Sequence, residues 1–133
     1  MHRIKTLVAA LLIGLTLSSV AVSQDVAEPT RLRFARGKRT TTATGFVGGE
    51  ATDRYVVHLR AGQKLIIHAM SRRKRTQVGI HPVGDDGSYY LPGKQSDNDL
   101  TRWSGTIPRT GDYVIQVNVH PYGERYTLIL TVK

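Results

Sequence analysis

The sequence contains no cysteine. That rules out disulfide staples and a cysteine nucleophile, and it rules out lipoprotein processing, which needs a cysteine after the apolar leader. Acids are scarce, with 10 Asp and Glu against 19 Lys and Arg, for a formal net charge of +9. There is one Trp, and the one strongly apolar segment lies at the very start. Beyond it no window carries a helical period, no repeat recurs and no tract is of low complexity. A Gly-x-Ser-x-Gly nucleophile elbow is missing as well. Two carboxylates of a glycosidase cannot be told from scattered turn acids, so the residues give little support to an enzyme.

The start of the chain has signal-peptide anatomy. Arg3 and Lys5 are a basic n-region, Leu7 to Leu17 an apolar h-region, and Ala21-Val22-Ser23 places small residues at the positions a signal peptidase reads. The apolar run falls short of the ~20 residues of a membrane span. The expected organisation is a cleaved signal peptide at 1–23, a loose lead-in at 24–30 containing Pro29, and one domain at 31–133. Cleavage removes two cations and no anion, so the exported chain stays strongly basic. Such a protein can meet lipopolysaccharide, cell-wall polymers or an acidic protein patch.

The rest of the chain alternates. Leu32 and Phe34 are expected to point inward, and Thr40 to Val47 is a Thr-rich strand. Tyr55, Val57 and Leu59 share one parity, as do Leu65, Ile67 and Ala69. A three-residue loop at Ala61 to Gln63 would make these a hairpin pairing Leu59 with Leu65 and Val57 with Ile67. Val78 and Ile80 point inward on the next strand, Gly84 to Gly87 is a tight turn, and Ser88 to Leu91 forms a short strand before a polar loop at Pro92 to Leu100. Trp103 to Val119 reads as a second hairpin, with a turn at Pro108 to Asp112 and with Tyr113, Ile115, Val117 and Val119 on one face. Tyr126, Leu128, Leu130 and Val132 close the core. The fold class that follows is all-β, an antiparallel β-sandwich of about eight short strands, with a small barrel as the alternative. Trp103 is core volume in this reading; the alternative is an exposed platform for stacking a sugar.

Several of these segments resemble known proteins. Leu-Arg-Phe-Ala-Arg-Gly at 32–37, Tyr55 with Ala61-Gly62-Gln63, Trp103-Ser-Gly-Thr-Ile-Pro, Gly111-Asp-Tyr-Val-Ile-Gln-Val and the closing Tyr126-Thr-Leu are similar to a group of small exported bacterial β-sandwiches. The group includes periplasmic inhibitors of g-type lysozyme and the related pre-peptidase C-terminal domains. The resemblance implies a non-enzymatic protein without cofactor that blocks a lysozyme cleft with loops at one end of the sandwich. It implies a Tyr in the loop before the third strand and two Arg before the last strand. The first loop here, Gly48-Gly49-Glu50-Ala51-Thr52-Asp53, has no Tyr, and the last holds only Arg125.

Strand parity supplies a candidate site. In an up-and-down path alternate loops emerge at the same end, so loops 48–54, 71–76, 92–100 and 120–125 are expected together. That end would gather Arg72, Arg73, Lys74 and Arg75 with His120, Tyr122 and Arg125. Arginine forks pair two-pronged with the carboxylates of an acidic cleft; the alternative is a solvated loop tip whose charge repels aggregation. The partner is then a protein such as lysozyme, or a cell-envelope glycan for an accessory domain, with weak contact to an anionic surface a further option. Nucleic acid is not expected, because the basic run has neither interleaved aromatics nor a groove-sized helix. His58 and His68, read as diagonal neighbours on one outward face, could begin a zinc site but lack a third ligand. Asp97-Asn98-Asp99 could hold calcium but fits no EF-hand spacing.

Overall fold

A computed structural model describes residues 28–48, 51–85, 90–96, 99–119 and 123–133, without side chains for 94–100. The expected signal peptide, the lead-in up to residue 27, His120, Tyr122, Asp97 and Asn98 lie outside these residues. Nine strands follow in order: β1 (Thr30–Leu32), β2 (Thr40–Val47), β3 (Thr52–Leu59), β4 (Lys64–Ser71), β5 (Thr76–Pro82), β6 (Lys94–Ser96), β7 (Asp99–Thr106), β8 (Gly111–Val119) and β9 (Glu124–Val132). They form two sheets, β1-β3-β8-β5 and β2-β9-β4-β7-β6. All pairings are antiparallel except β1 with β3. The β-sandwich is as expected.

The inward parities are also as expected. Leu65, Ile67, Ile80, Ile115, Leu128 and Leu130 are fully buried between the sheets. Each such side chain removed from water is worth about 1.5–3 kcal/mol. Trp103 is 3% exposed, so it is core. It lies against Gly93 and Gly105, where an added β-carbon would come within 2.4 Å and 2.7 Å of the indole.

The connections differ from expectation. β3 and β4 lie in different sheets, and so do β7 and β8. Neither is a hairpin. Both are arches that carry the chain from one sheet to the other, and of all successive strands only β6 and β7 pair. Leu59 and Leu65 are therefore buried from opposite sheets instead of side by side in one. The physical reason is that period-2 burial requires only that both strands turn the same parity inward, which an arch satisfies as well as a hairpin. The Ala61–Gln63 turn is confirmed as a bend. Gly62 takes φ +85° and its N–H donates to the Ile107 carbonyl at 2.8 Å, while Ile107 N–H donates to Gln63 O at 2.8 Å.

Other boundaries move. Of the strand expected at Ser88 to Leu91, residues 90 and 91 are not strand and 88 and 89 lie outside the described residues, and the segment taken as a polar loop contains β6 and the start of β7. Thr52 and Asp53 belong to β3, so the preceding loop is shorter than 48–54. His58 and His68 point outward from different sheets, on opposite sides of the sandwich, and cannot share a metal. No group of three metal-ligating side chains occurs among the described residues. His58 Nδ1 instead meets Asp112 Oδ1 at 3.0 Å, and Arg31 Nη2 donates to Asp112 Oδ2 at 3.0 Å. Arg31 first and His58 second hold the Asp112 carboxyl below its usual range, and Arg31 so ties the three-residue parallel strand β1 to β8.

Arches and hairpins predict different cross-links in this cysteine-free chain. Ile66→Cys with Thr131→Cys, opposite each other on β4 and β9, should oxidise to a disulfide. His58→Cys with Ile66→Cys, neighbours only in a hairpin, should stay reduced because the two β-carbons face opposite sides of the molecule. Thiol titration after mild oxidation reads both.

Candidate basic docking site

Strands alternate in direction along the whole chain, since β3 opposes β8, and β4 opposes both β7 and β9. The loops after β2, β4 and β8 consequently share one end. Contacts agree: the Arg73 backbone N–H donates to Glu124 Oε1 at 2.6 Å, which ties the β4–β5 loop to the start of β9.

The β4–β5 loop is held by its own first residue. Ser71 O accepts from Lys74 N–H at 3.3 Å, and Ser71 Oγ accepts from Arg75 N–H at 3.3 Å. Lys74 takes φ +53°, the left-handed region that a non-glycine residue enters only under such constraint. Thr76 is buried and its hydroxyl donates to Ala69 O at 2.6 Å, closing the arch at its neck. Arg72, Arg73 and Lys74 remain exposed, whereas Arg75 is half-buried.

Of the basic residues expected here, Arg72 and Arg125 come together. They line one shallow groove with Thr44, Phe46, Met70 and Thr127 on the outer face of β2, β9 and β4. Phe46 lies opposite Arg125, and Met70 opposite Thr127. Phe46 is 60% and Met70 48% exposed, an apolar pair unusual on a wet sheet face. The Phe46 ring rests against Gly123, where a β-carbon would come 2.8 Å from it. Arg73 and Lys74 lie outside the groove. Phe46 was missed in the sequence, although parity exposes it: Val47 points inward, so Phe46 must point out.

Beneath the groove lies a buried polar chain. Tyr126 donates to Asp53 Oδ2 at 2.5 Å, and the Tyr55 and Tyr126 hydroxyls are 2.5 Å apart, so Tyr55 donates to Tyr126. Burial, then the bonds to Asp53 and Tyr55, push the Tyr126 phenol far above its ordinary range; burial also raises Tyr55. Gly45 makes room, since a β-carbon there would sit 2.5 Å from the Tyr126 oxygen and 2.8 Å from Asp53 Oδ2. Asp53 and Glu124 thus spend a carboxylate oxygen on internal partners, and among the described residues no acid lines the groove.

The fold is shared with proteins of known structure. PliG of Aeromonas hydrophila, a periplasmic inhibitor of g-type lysozyme, superposes with a TM-score of 0.68 at 20% identity, over 79% of this chain and 96% of that one. PliG of Salmonella Typhimurium, likewise a periplasmic inhibitor of g-type lysozyme, gives 0.61 at 19% identity, over 80% and 98%. The pre-peptidase C-terminal domain of a Bacillus anthracis collagenase gives 0.57 at 20% identity, over 80% and 95%. Both groups suggested by the sequence motifs share this architecture. No family model matches the chain, and no curated protein matches its sequence.

The tyrosine chain sets an alkaline limit. Both phenols titrate higher in the folded than in the unfolded chain, so their contribution is full below about pH 10 and is lost as pH rises above it. In a spectrophotometric titration Tyr55 and Tyr126 should ionise only with unfolding. Tyr126→Phe should cost about 1–3 kcal/mol in denaturant melts, because it strips one donor from Asp53 and an acceptor from Tyr55.

Proposed function

We propose that this is an exported, non-enzymatic protein that inhibits a g-type-like lysozyme, docking its basic end onto the acidic cleft. The observation that carries this reading is the groove that brings Arg72 and Arg125 together with Phe46 and Met70, with no acid among its described lining residues. Two arginine forks suit carboxylates, and an exposed aromatic beside Arg125 on the neighbouring strand suits a desolvated anchor at an interface. Arg72, delivered by the β4–β5 loop, stands beside Arg125 where the sequence of the last loop offers one arginine only. Arg73 and Lys74 add to the field that steers an acidic partner, together with His120 and Tyr122 from the loop before β9. The fold shared with two periplasmic inhibitors supports the same reading. In this proposal residues 1–23 direct export and are cleaved before Gln24.

Residues 24–133 should suppress lysis by a g-type lysozyme at near-stoichiometric dose. Arg72→Glu with Arg125→Glu should weaken inhibition more than a hundredfold, since each lost charge pair is replaced by repulsion. Phe46→Ala should weaken it by about tenfold or more. Inhibition by the native chain should fall with added salt. Full lysozyme activity in excess protein at low salt would overturn the reading.

A further inference from the structure

A second surface, on the opposite sheet, has the chemistry of a different ligand. Tyr90 lies over Gly79 on the outer face of β5, where a β-carbon would come 2.7 Å from its ring; only glycine at this position admits the ring. Its hydroxyl donates to Gln116 Oε1 at 3.0 Å. Gln116 Nε2 meets His81 Nε2 at 3.1 Å, and the His81 ring stands edge-on to Tyr90 with centroids 5.9 Å apart. Behind Tyr90, the Leu91 N–H donates to Ile80 O at 2.9 Å and the Leu91 side chain is buried. A surface tyrosine is thus fixed in place by a glycine, a glutamine, a histidine and its own chain neighbour, yet remains 47% exposed.

The groove beside it is lined by Gln77, Gln116 and Asn118 together with Pro92, Gly93 and Trp103. Gln77 and Asn118 face each other on β5 and β8. Thr52 donates to the Asn118 carbonyl oxygen at 2.5 Å, which leaves the Asn118 amide N–H groups as its donors. Among the described residues no Asp, Glu, Lys or Arg lines this groove. Arg54 faces Gln116 from β3, one strand further from Tyr90.

A fixed aromatic face beside side-chain amides, without charge, suits a ligand with an apolar C–H face and a rim of hydroxyls. An anionic polymer would find no cation among the described residues lining this groove, and an acidic peptide would be drawn to the other sheet. We propose that this groove binds a neutral saccharide, with one sugar ring stacked on Tyr90 and its hydroxyls bonded by Gln77 and Asn118. The inference does not rest on lysozyme inhibition, and the two sites lie on different sheets.

The test is titration with cellotetraose, chitotetraose and maltotetraose, followed by amide chemical shifts, with tetragalacturonate as the charged control. At least one neutral sugar should shift the amide signals of Gln77, Gln116 and Asn118 at millimolar concentration, and tetragalacturonate should not. Which sugar acts distinguishes a cellulose-like, a chitin-like or a starch-like source. Tyr90→Ala and Gln77→Ala should each weaken binding by about tenfold, while lysozyme inhibition stays unchanged in both. Gln77 is exposed and pins nothing described above, so its variant separates ligand contact from loss of the Tyr90 segment. No shifts with any neutral sugar, shifts that map elsewhere, equal binding of tetragalacturonate, or undiminished binding by both variants would each overturn the proposal.

Discussion

The structure depends on apolar burial between two sheets that the chain visits in alternation. Because almost every connection crosses the core, neither sheet can be assembled from neighbouring strands. β2 completes its sheet by pairing with β9, at the far end of the sequence, so that Thr40 meets Thr131 across 91 positions. A backbone hydrogen bond contributes a net ~1 kcal/mol, less than one buried leucine. Inter-sheet burial therefore decides which strands become neighbours, and the ladders form as its consequence. Such non-local pairing carries a large loop-closure cost and places this chain among slowly folding topologies.

The same alternation builds the basic end. Strands that reverse at every step send every second loop to one side, and that side receives the β4–β5 arginines and the start of β9. The described acids there are occupied: Asp53 accepts from Tyr126 and Glu124 accepts from the Arg73 backbone. Internal hydrogen bonding thereby fixes the shape of the end while leaving its outer groove to cations and two apolar side chains. A basic surface with its carboxylates turned inward can attract an acidic partner without first breaking ion pairs of its own.

The two sheets present unlike surfaces. The outer face of β2, β9 and β4 offers arginine, phenylalanine and methionine; that of β5 and β8 offers amides around a tyrosine that packs on glycine. The described linings of the two grooves thus differ in charge, the first carrying two arginines and the second none.

By itself the sequence determined which residues are buried and where the chain bends, because burial parity has a period of two and the turns carry Gly and Pro at defined places. Tyr55, Leu65, Val78, Trp103 and Leu128 are core for that reason, and direction reversal alone placed Arg72 and Arg125 at one end. Only the tertiary structure decided which strands pair. An arch and a hairpin demand the same alternation of Leu59 with Leu65, so the pattern cannot separate them; the choice is made by distant strands competing for the same sheet edge. For the same reason the Tyr55–Tyr126–Asp53 chain, the Phe46–Met70 floor and the seat of Tyr90 on Gly79 had no local signature. Each joins residues far apart in sequence, and each exists only because packing of the two sheets brings them together.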